Sequence, residues 1–406
     1  HDDAVRYSWG GNYPLTSYLE WHNGVHLIAP SDETPVRAVA DGKVIHVIAP
    51  DKAPSSDKSH PQNHGSADPQ ETMWTDKGMV IVEHTAEIGN HNAGFGNQRP
   101  ITFTYYSVYM HLKSVDAAVA KDKRIYRRDK IGQAGQIYGQ ENHLHFEICM
   151  DEANLTELLG HAPAEHPAQG KAPIADGRTD VVFGSAYVYL PKGTPVCNEQ
   201  PATHLRTPNT DSLEAEMWVQ LDYAGSATLV SLDHKGKEIG RVTQADAEYD
   251  LYSEAIKRHS SLSVADQAQS SPSGWYELLR FGRNLGRAER SKDPLPADAE
   301  HWRKVNTPRG EKWVNLNAKG TYKFSDADFP AVMGWQLIGD DRNASDQRCN
   351  SDALRGLLLL SIAEMSEREK ACEKTPAGLR LLAKQTVHKD MAGKMQKLIC
   401  KFPSEF

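Results

Sequence analysis

The chain has 406 residues, 39% of them hydrophobic and 25% charged, the balance of a soluble globular protein too long for one ordinary core. Its formal net charge of −8 excludes a protein that embraces nucleic acid over a broad surface, a task that needs a basic stripe. No apolar run approaches the roughly 18 residues that span a bilayer, so no stable membrane insertion is expected.

The sequence opens at His1 without a charged-then-apolar leader and reads as a processed product or a piece of something longer. Residues 1–150 read mainly as strands. Val36, Ala38 and Ala40 alternate before an Asp41-Gly42 turn and the run Val44–Ile48, which predicts a hairpin. Lys77–His84, Ile101–His111 and His143–Met150 are further β-rich runs. The polar stretch Asp51–Asp76 predicts a long surface loop, and its His60 and His64 read as solvated. Residues 151–195 form a connector with Pro163, Pro167 and Pro173, closing with the strand-like run Val181–Leu190.

A second β-rich region follows over about 212–320. It includes Met217–Tyr223, Ala227–Leu232 and, after a Ser-rich break at Ser260–Ser273, Trp275–Phe281. Trp302–Val305 and Lys312–Leu316 close it around Pro308-Arg309-Gly310. Beyond 321 the period changes. Leu354, Leu358, Ile362 and Met365 mark one helical face. Leu379, Leu382, Val387, Met391, Met395 and Ile399 suggest a second helix whose Lys and Arg form a solvated face. The five cysteines (Cys149, Cys197, Cys349, Cys372, Cys400) match neither a disulfide framework nor a Cys-based zinc site, and one bridge from Cys349 to Cys372 or Cys400 is left open.

Two short stretches carry chemistry: Trp21-His22-Asn23-Gly24-Val25-His26-Leu27 and Asn142-His143-Leu144-His145-Phe146-Glu147-Ile148. Residues two apart on a strand share a face, so His143 and His145 project together while Leu144 and Phe146 face a core. His22 and His26 stand an even four apart, and Gly24 between them argues against helix. Three neutral imidazoles with a fourth position open make a catalytic zinc site. A single such histidine is as readily a core or surface residue. Two pairs in one β-rich region, joined by His111 in Tyr109-Met110-His111-Leu112, favour the metal.

His22–Pro30 with Pro35–Val44, then Tyr109–Leu112, Asp129–Gly135 and His143–Glu147, resemble the four motifs of the lysostaphin/LytM-type zinc endopeptidases, in the family's order over about residues 20–150. The resemblance implies a small antiparallel β fold with a groove and one Zn2+. By position, His22 and His145 would be metal ligands. His111 and His143 would be the catalytic pair, one deprotonating water and the other steadying the oxyanion. The family's first motif ends in aspartate, and here it ends in His26. Imidazole also binds zinc, so His22, His26 and His145 form the expected metal set, with a site charge of +2 rather than about +1. An active three-histidine enzyme and a site that has lost turnover both stay open at this position.

Trp302–Leu316 resembles the closing strands of bacterial SH3-like wall-binding modules, and Trp302 and Trp313 read equally as stacking or core residues. Phe324–Pro330 with Gly334-Trp335 resembles a segment of wall-degrading type VI secretion effectors. That implies a secreted protein acting in the periplasm of a target bacterium, with secretion-apparatus components and an immunity protein as partners. Asp340–Asp346 reads as a solvated acidic turn rather than a calcium loop.

The expectation is a multidomain protein: residues 1–195 an antiparallel β metallopeptidase domain with connector, 196–320 a second β-rich SH3-like domain, and 321–406 a helical C-terminal domain. Its expected function is zinc-dependent cleavage of peptide cross-links in bacterial peptidoglycan. A non-catalytic wall-binding or hydrolase-activating protein with a degenerate site, and an N-acetylmuramoyl-L-alanine amidase, are the alternatives.

Overall fold

A computed structural model of the chain describes residues 13–16, 19–51, 54–65, 72–88, 101–159, 185–201, 211–222, 227–244, 247–281, 295, 299–318, 320–341, 343, 346–360 and 389–402. Contacts group the chain into two compact units, residues 1–86, 103–155 and 336–406 in the first, 87–102 and 156–335 in the second. The architecture is β-rich, with mostly antiparallel sheets and few helices.

The chain first forms β1 (Val25–Ile28), β2 (Pro35–Arg37), β3 (Gly42–Ile48), β4 (Asn63–Gly65), β5 (Thr72–Trp74), β6 (Gly78–Ile88), β7 (Ile101–Val115), β8 (Arg124–Ile125), β9 (Lys130–Ile137) and β10 (Gln140–Cys149), followed by helix α1 (Glu152–Leu159). One eight-stranded sheet runs β1-β10-β9-β7-β6-β3-β8, with β2 paired to β9. Val44, Val80, Val82, Tyr109, Leu112, Ile131 and Leu144 are buried in its core. The expected hairpin around Asp41-Gly42 does not form. β2 pairs with β9, whereas β3 pairs with β6 and β8. Asp41 instead joins neighbours, accepting from the Arg127 amide at 2.6 Å and, through its carbonyl, from His84 Nδ1 at 2.8 Å. Within the stretch expected to be a plain loop, β4 and β5 pair, and His60 lies against Trp74.

The second unit contains β11 (Ala186–Leu190), β12 (Pro195–Cys197), β13 (Asp211–Ser212), β14 (Met217–Asp222), β15 (Ala227–Asp233), β16 (Glu238–Gln244), helices α2 (Ala247–Ser260), α3 (Val264–Gln267) and α4 (Pro272–Phe281), then β17 (Trp302–Thr307), β18 (Gly310–Asn315) and β19 (Tyr322–Ser325). A five-stranded sheet β16-β15-β14-β11-β19 and a four-stranded sheet β13-β12-β18-β17 share one core. Alternation is visible on β11: Ala186, Val188 and Leu190 enter that core, while Tyr187 and Tyr189 join Trp218 and Phe324 on the other face. The run Trp275–Phe281, read as β-rich, lies in helix α4. Trp275, Leu278 and Leu279 fall three and four apart and pack on Leu251 and Ala255 of α2, so helical spacing prevails over β propensity.

The C-terminal part of the first unit holds β20 (Gln336–Ile338), α5 (Asp352–Leu360), α6 (Lys389–Met395) and β21 (Leu398–Cys400). Leu354 and Leu358 of α5 form a buried cluster with Leu15, Leu19, Trp21, Met391, Met395 and Leu398. Ile399, expected to extend the second helix, lies in β21, which pairs in parallel with β20. Ile362, Met365, Leu379, Leu382 and Val387 lie outside the described residues. Among the described cysteines all four are free, including Cys349 and Cys400, and Cys372 lies outside them. No helix among the described residues is long and apolar enough to cross a membrane.

Candidate metal centre

Strand register assembles the site. β1 runs antiparallel to β10 with His26 opposite His145 and Ile28 opposite His143. Gly24 makes this approach possible: a Cβ there would stand 2.2 Å from the Phe146 carbonyl oxygen and 2.7 Å from His145 Nε2. His22 sits just outside the strand, and its amide donates to the Pro14 carbonyl at 2.9 Å. The residue before it is clasped. Trp21 donates its amide to Gln347 O at 2.7 Å and its Nε1 to Asp341 Oδ2 at 2.7 Å, and stacks on Phe402.

His22, His26 and His145 are 5%, 9% and 0% exposed, and one ligand atom from each lies within 4.8 Å of the others. The Nε2 atoms of His22 and His26 are 3.2 Å apart. Donors about 2.0–2.1 Å from a tetrahedral zinc would stand roughly 3.4 Å from one another, so the set fits a single ion after small ring movements. Burial, then the neighbouring His22, His111 and His143, lower the His26 pKa to about 3. Burial, then His22, His26 and His111, lower that of His145 to about 2. Both rings are therefore neutral near pH 7 and keep lone pairs for a cation.

His111 and His143 occupy the flank. The His111 ring is 6.3 Å from that of His26 and 6.2 Å from that of His145, centroid to centroid. Its Nδ1 lies 2.9 Å from the Asp76 carbonyl oxygen. A carbonyl only accepts, so Nδ1 carries the proton and Nε2 is left for chemistry. His143 repeats the device, with Nδ1 donating to the Glu141 carbonyl at 2.7 Å. Its Nε2 is buried and has no hydrogen-bond partner among the described residues. His111 adopts φ 63°, an uncommon conformation for a non-glycine residue, and directly follows the part of β7 paired with β10. The structure thus brings His22, His26 and His145 together as a group that could hold a metal ion, with the His111 ring beside it and His143 on the same strand as His145. His60 belongs to no metal-holding group among the described residues, and the side chain of His64 lies outside them.

Other parts of the site are not evident from motif reading. Asp76 is buried and holds the far side of His111. Its carboxylate accepts from Trp74 Nε1 at 3.0 Å and from the Gln136 amide at 2.7 Å. Gly135 lets this happen, since a Cβ there would meet Asp76 Oδ2 at 2.4 Å. The only sequence signal for Asp76 is its place at the loop end. Glu147 closes the H-L-H-F-E run and is 2% exposed, its Oε2 4.0 Å from His145 Nε2. Its carboxyl lies beside a site that has histidine where the family pattern has aspartate. Tyr109 plays a packing part, buried against Phe146 with its hydroxyl accepting from the Val39 amide at 3.1 Å.

What the geometry defines is a class of site, a buried three-imidazole centre with two orientated histidines beside it. No protein-family model matches the chain, and no curated protein does. Among solved structures it is similar to the catalytic domain of the antimicrobial peptidase lysostaphin from Staphylococcus simulans, at 18% identity and a TM-score of 0.21, over 37% of this chain and 86% of that one. It is also similar to lysostaphin solved in solution by NMR, at 16% identity and a TM-score of 0.22, over 59% of this chain and 87% of that one.

Proposed function

We propose that the first unit is a zinc-dependent endopeptidase that hydrolyses peptide cross-links of bacterial peptidoglycan. The observation that carries this reading is the juxtaposition of His22, His26 and His145, all buried and within single-ion reach, with two histidines whose Nδ1 atoms are tied to carbonyls. The four-motif resemblance supplies the substrate class. When bound, zinc supplies Lewis-acid chemistry, activating water near neutral pH and polarising a peptide carbonyl.

The chain's own residues supply the proton handling. With Nδ1–H held by a backbone carbonyl, a neutral ring offers a basic Nε2, and a protonated ring offers an Nε2–H donor. One of His111 and His143, neutral, takes the proton of the attacking water. The other, protonated, donates to the oxyanion and then to the leaving amine. Fixing both rings before substrate arrives removes a reorganisation cost from the reaction.

The SH3-like motif in the second unit supports wall binding, and the Phe324–Pro330 resemblance supports delivery by type VI secretion with a cognate immunity protein. In this structure Phe324 is core and Asp326 accepts from the Tyr187 hydroxyl at 2.6 Å, so these residues also serve the fold.

Purified sacculi incubated with the zinc-loaded protein should release soluble muropeptides with newly exposed cross-link termini, identified by mass spectrometry. His143→Ala should keep its zinc and lose about 10²–10⁴-fold in rate. Absence of fragments from the zinc-loaded wild type at every pH tested contradicts the enzymatic reading and favours a wall-binding or hydrolase-activating protein. Free peptides released from intact sugar identify an amidase instead.

A further inference from the structure

One edge of the first unit is strongly basic. Residues 121–130 carry six cations against two aspartates, in a chain whose net charge is −8. Ile125 of β8 is buried, whereas Lys121, Lys123, Arg124, Arg127 and Arg128 are exposed, as is Arg37 of β2. β8 ends the eight-stranded sheet and sets Arg124 opposite Lys43 of β3.

The nearby carboxylates are taken up by other groups. Asp122 pairs with Lys43 at 2.7 Å and Asp116 with Lys130 at 3.6 Å. Asp41 Oδ1 accepts from the Arg127 amide at 2.6 Å, and Asp129 Oδ2 from the Tyr126 amide at 2.8 Å. None of the six exposed cations has an ion-pair partner among the described residues. Even with these aspartates and Glu83, which faces Lys43 in register, the edge keeps an excess of positive charge.

Its tip is a fixed turn. The Arg128 amide donates to the Ala38 carbonyl at 2.8 Å, and the Ala38 amide to the Asp129 carbonyl at 2.9 Å. Arg37 Nη1 donates to the Arg128 carbonyl at 2.8 Å. These bonds hold Arg128 at φ 76°, an uncommon conformation for a bulky residue. The turn presents Tyr126, 57% exposed, and the segment it is bonded to presents Val39, 40% exposed. Guanidinium groups suit phosphate, and an exposed tyrosine among them suits the headgroup level of a bilayer better than a fully hydrated polymer.

We infer that this edge binds the surface of an anionic phospholipid bilayer, its arginines on lipid phosphates and Tyr126 at headgroup level, without crossing it. The rest of the chain carries net negative charge, so the same surface repels it and turns the basic edge toward the lipid. No residue of the metal centre takes part, so this surface stands or falls separately from the proposed peptidase.

The test is co-sedimentation of the full chain with two kinds of vesicle, pure phosphatidylcholine and an equimolar mixture with phosphatidylglycerol. Poly(glycerol phosphate) serves as a soluble competitor. The chain should bind the mixed vesicles and leave the neutral ones. Binding should be lost between about 0.1 M and about 1 M salt, as the Debye length contracts from ~10 Å to ~3 Å. The triple variant Lys121→Gln, Arg124→Gln, Arg127→Gln should bind about 100-fold more weakly, at roughly 5-fold for each cation near the surface. Tyr126→Ser should weaken vesicle binding by roughly 3–10-fold, from the apolar area no longer taken out of water. Circular dichroism should be unchanged in both variants. Equal binding to the two vesicles, no binding to either, or unchanged affinity in the triple variant overturns the inference. So does displacement by the polymer at equal phosphate concentration, which would identify a soluble polyanion as the partner. If the triple variant does not fold, Arg127→Gln and Tyr126→Ser decide singly, and unchanged vesicle affinity in both overturns it.

Discussion

At the residue scale, His26 sets the electrostatics of the centre. In the proposed centre it stands, neutral, where the family pattern has an anionic aspartate, and Glu147 Oε2 lies 4.0 Å from His145 Nε2. A carboxylate beside a ligating imidazole orients the ring and raises its basicity, and loss of such a partner typically costs 10–100-fold in metal affinity. Glu147→Gln, nearly isosteric, should therefore weaken zinc binding by about 10-fold or more in competition with a chromophoric chelator. Affinity unchanged within about 2-fold would remove Glu147 from the account. The histidines were legible in the sequence because period-two spacing and the HxH run place them on one strand face. Asp76 and Glu141 were not, because what they present to His111 and His143 is a backbone carbonyl, which every residue type possesses.

At the element scale, the C-terminal segment acts as a brace for Trp21, the residue before His22. Asp341 Oδ2 accepts from Trp21 Nε1 and from the Asn350 amide, and its Oδ1 accepts from the Asn343 amide at 3.0 Å. Asp340 and Asp346 likewise receive protein donors, so this acidic turn spends its carboxylates on structure. Removing Asp341 leaves a buried indole N–H unmet, at a cost of about 1–3 kcal/mol. Asp341→Ala should lower both the melting temperature and the zinc occupancy at limiting metal. A variant with normal occupancy would show that His22 is positioned without the brace. Trp21 and Asp341 are 320 residues apart, and nothing in local periodicity announces such a pair. The helix at Leu354 and Leu358 was legible by its spacing of four. That at Trp275 was not, because a short apolar run fits strand and helix alike.

At the scale of the whole molecule, burial of neutral imidazoles couples stability to pH. The folded pKa values of His26 and His145, about 3 and about 2, lie below the ordinary 6.5. Between those values and 6.5 the unfolded chain binds more protons than the folded one, so stability falls as pH drops through this window and is flat with respect to these groups above it. Zinc reinforces the direction, because protons compete for the same nitrogens. The melting temperature of the metal-free protein should rise from about pH 4.5 to about pH 7 and then level off. His26→Gln should flatten part of that rise, and an identical slope in wild type and variant would mean that His26 is not buried neutral.

In the proposed centre, three imidazoles from Gly24's two flanks and from β10 hold one metal ion. X-ray absorption at the zinc edge, on protein loaded with one equivalent, reads the ligand shell directly. The predicted spectrum has three imidazole nitrogens and one further light atom at about 2.0–2.1 Å, falling to two imidazoles in His26→Ala. A thiolate or carboxylate first shell, or a wild-type spectrum that His26→Ala leaves unchanged, would contradict it.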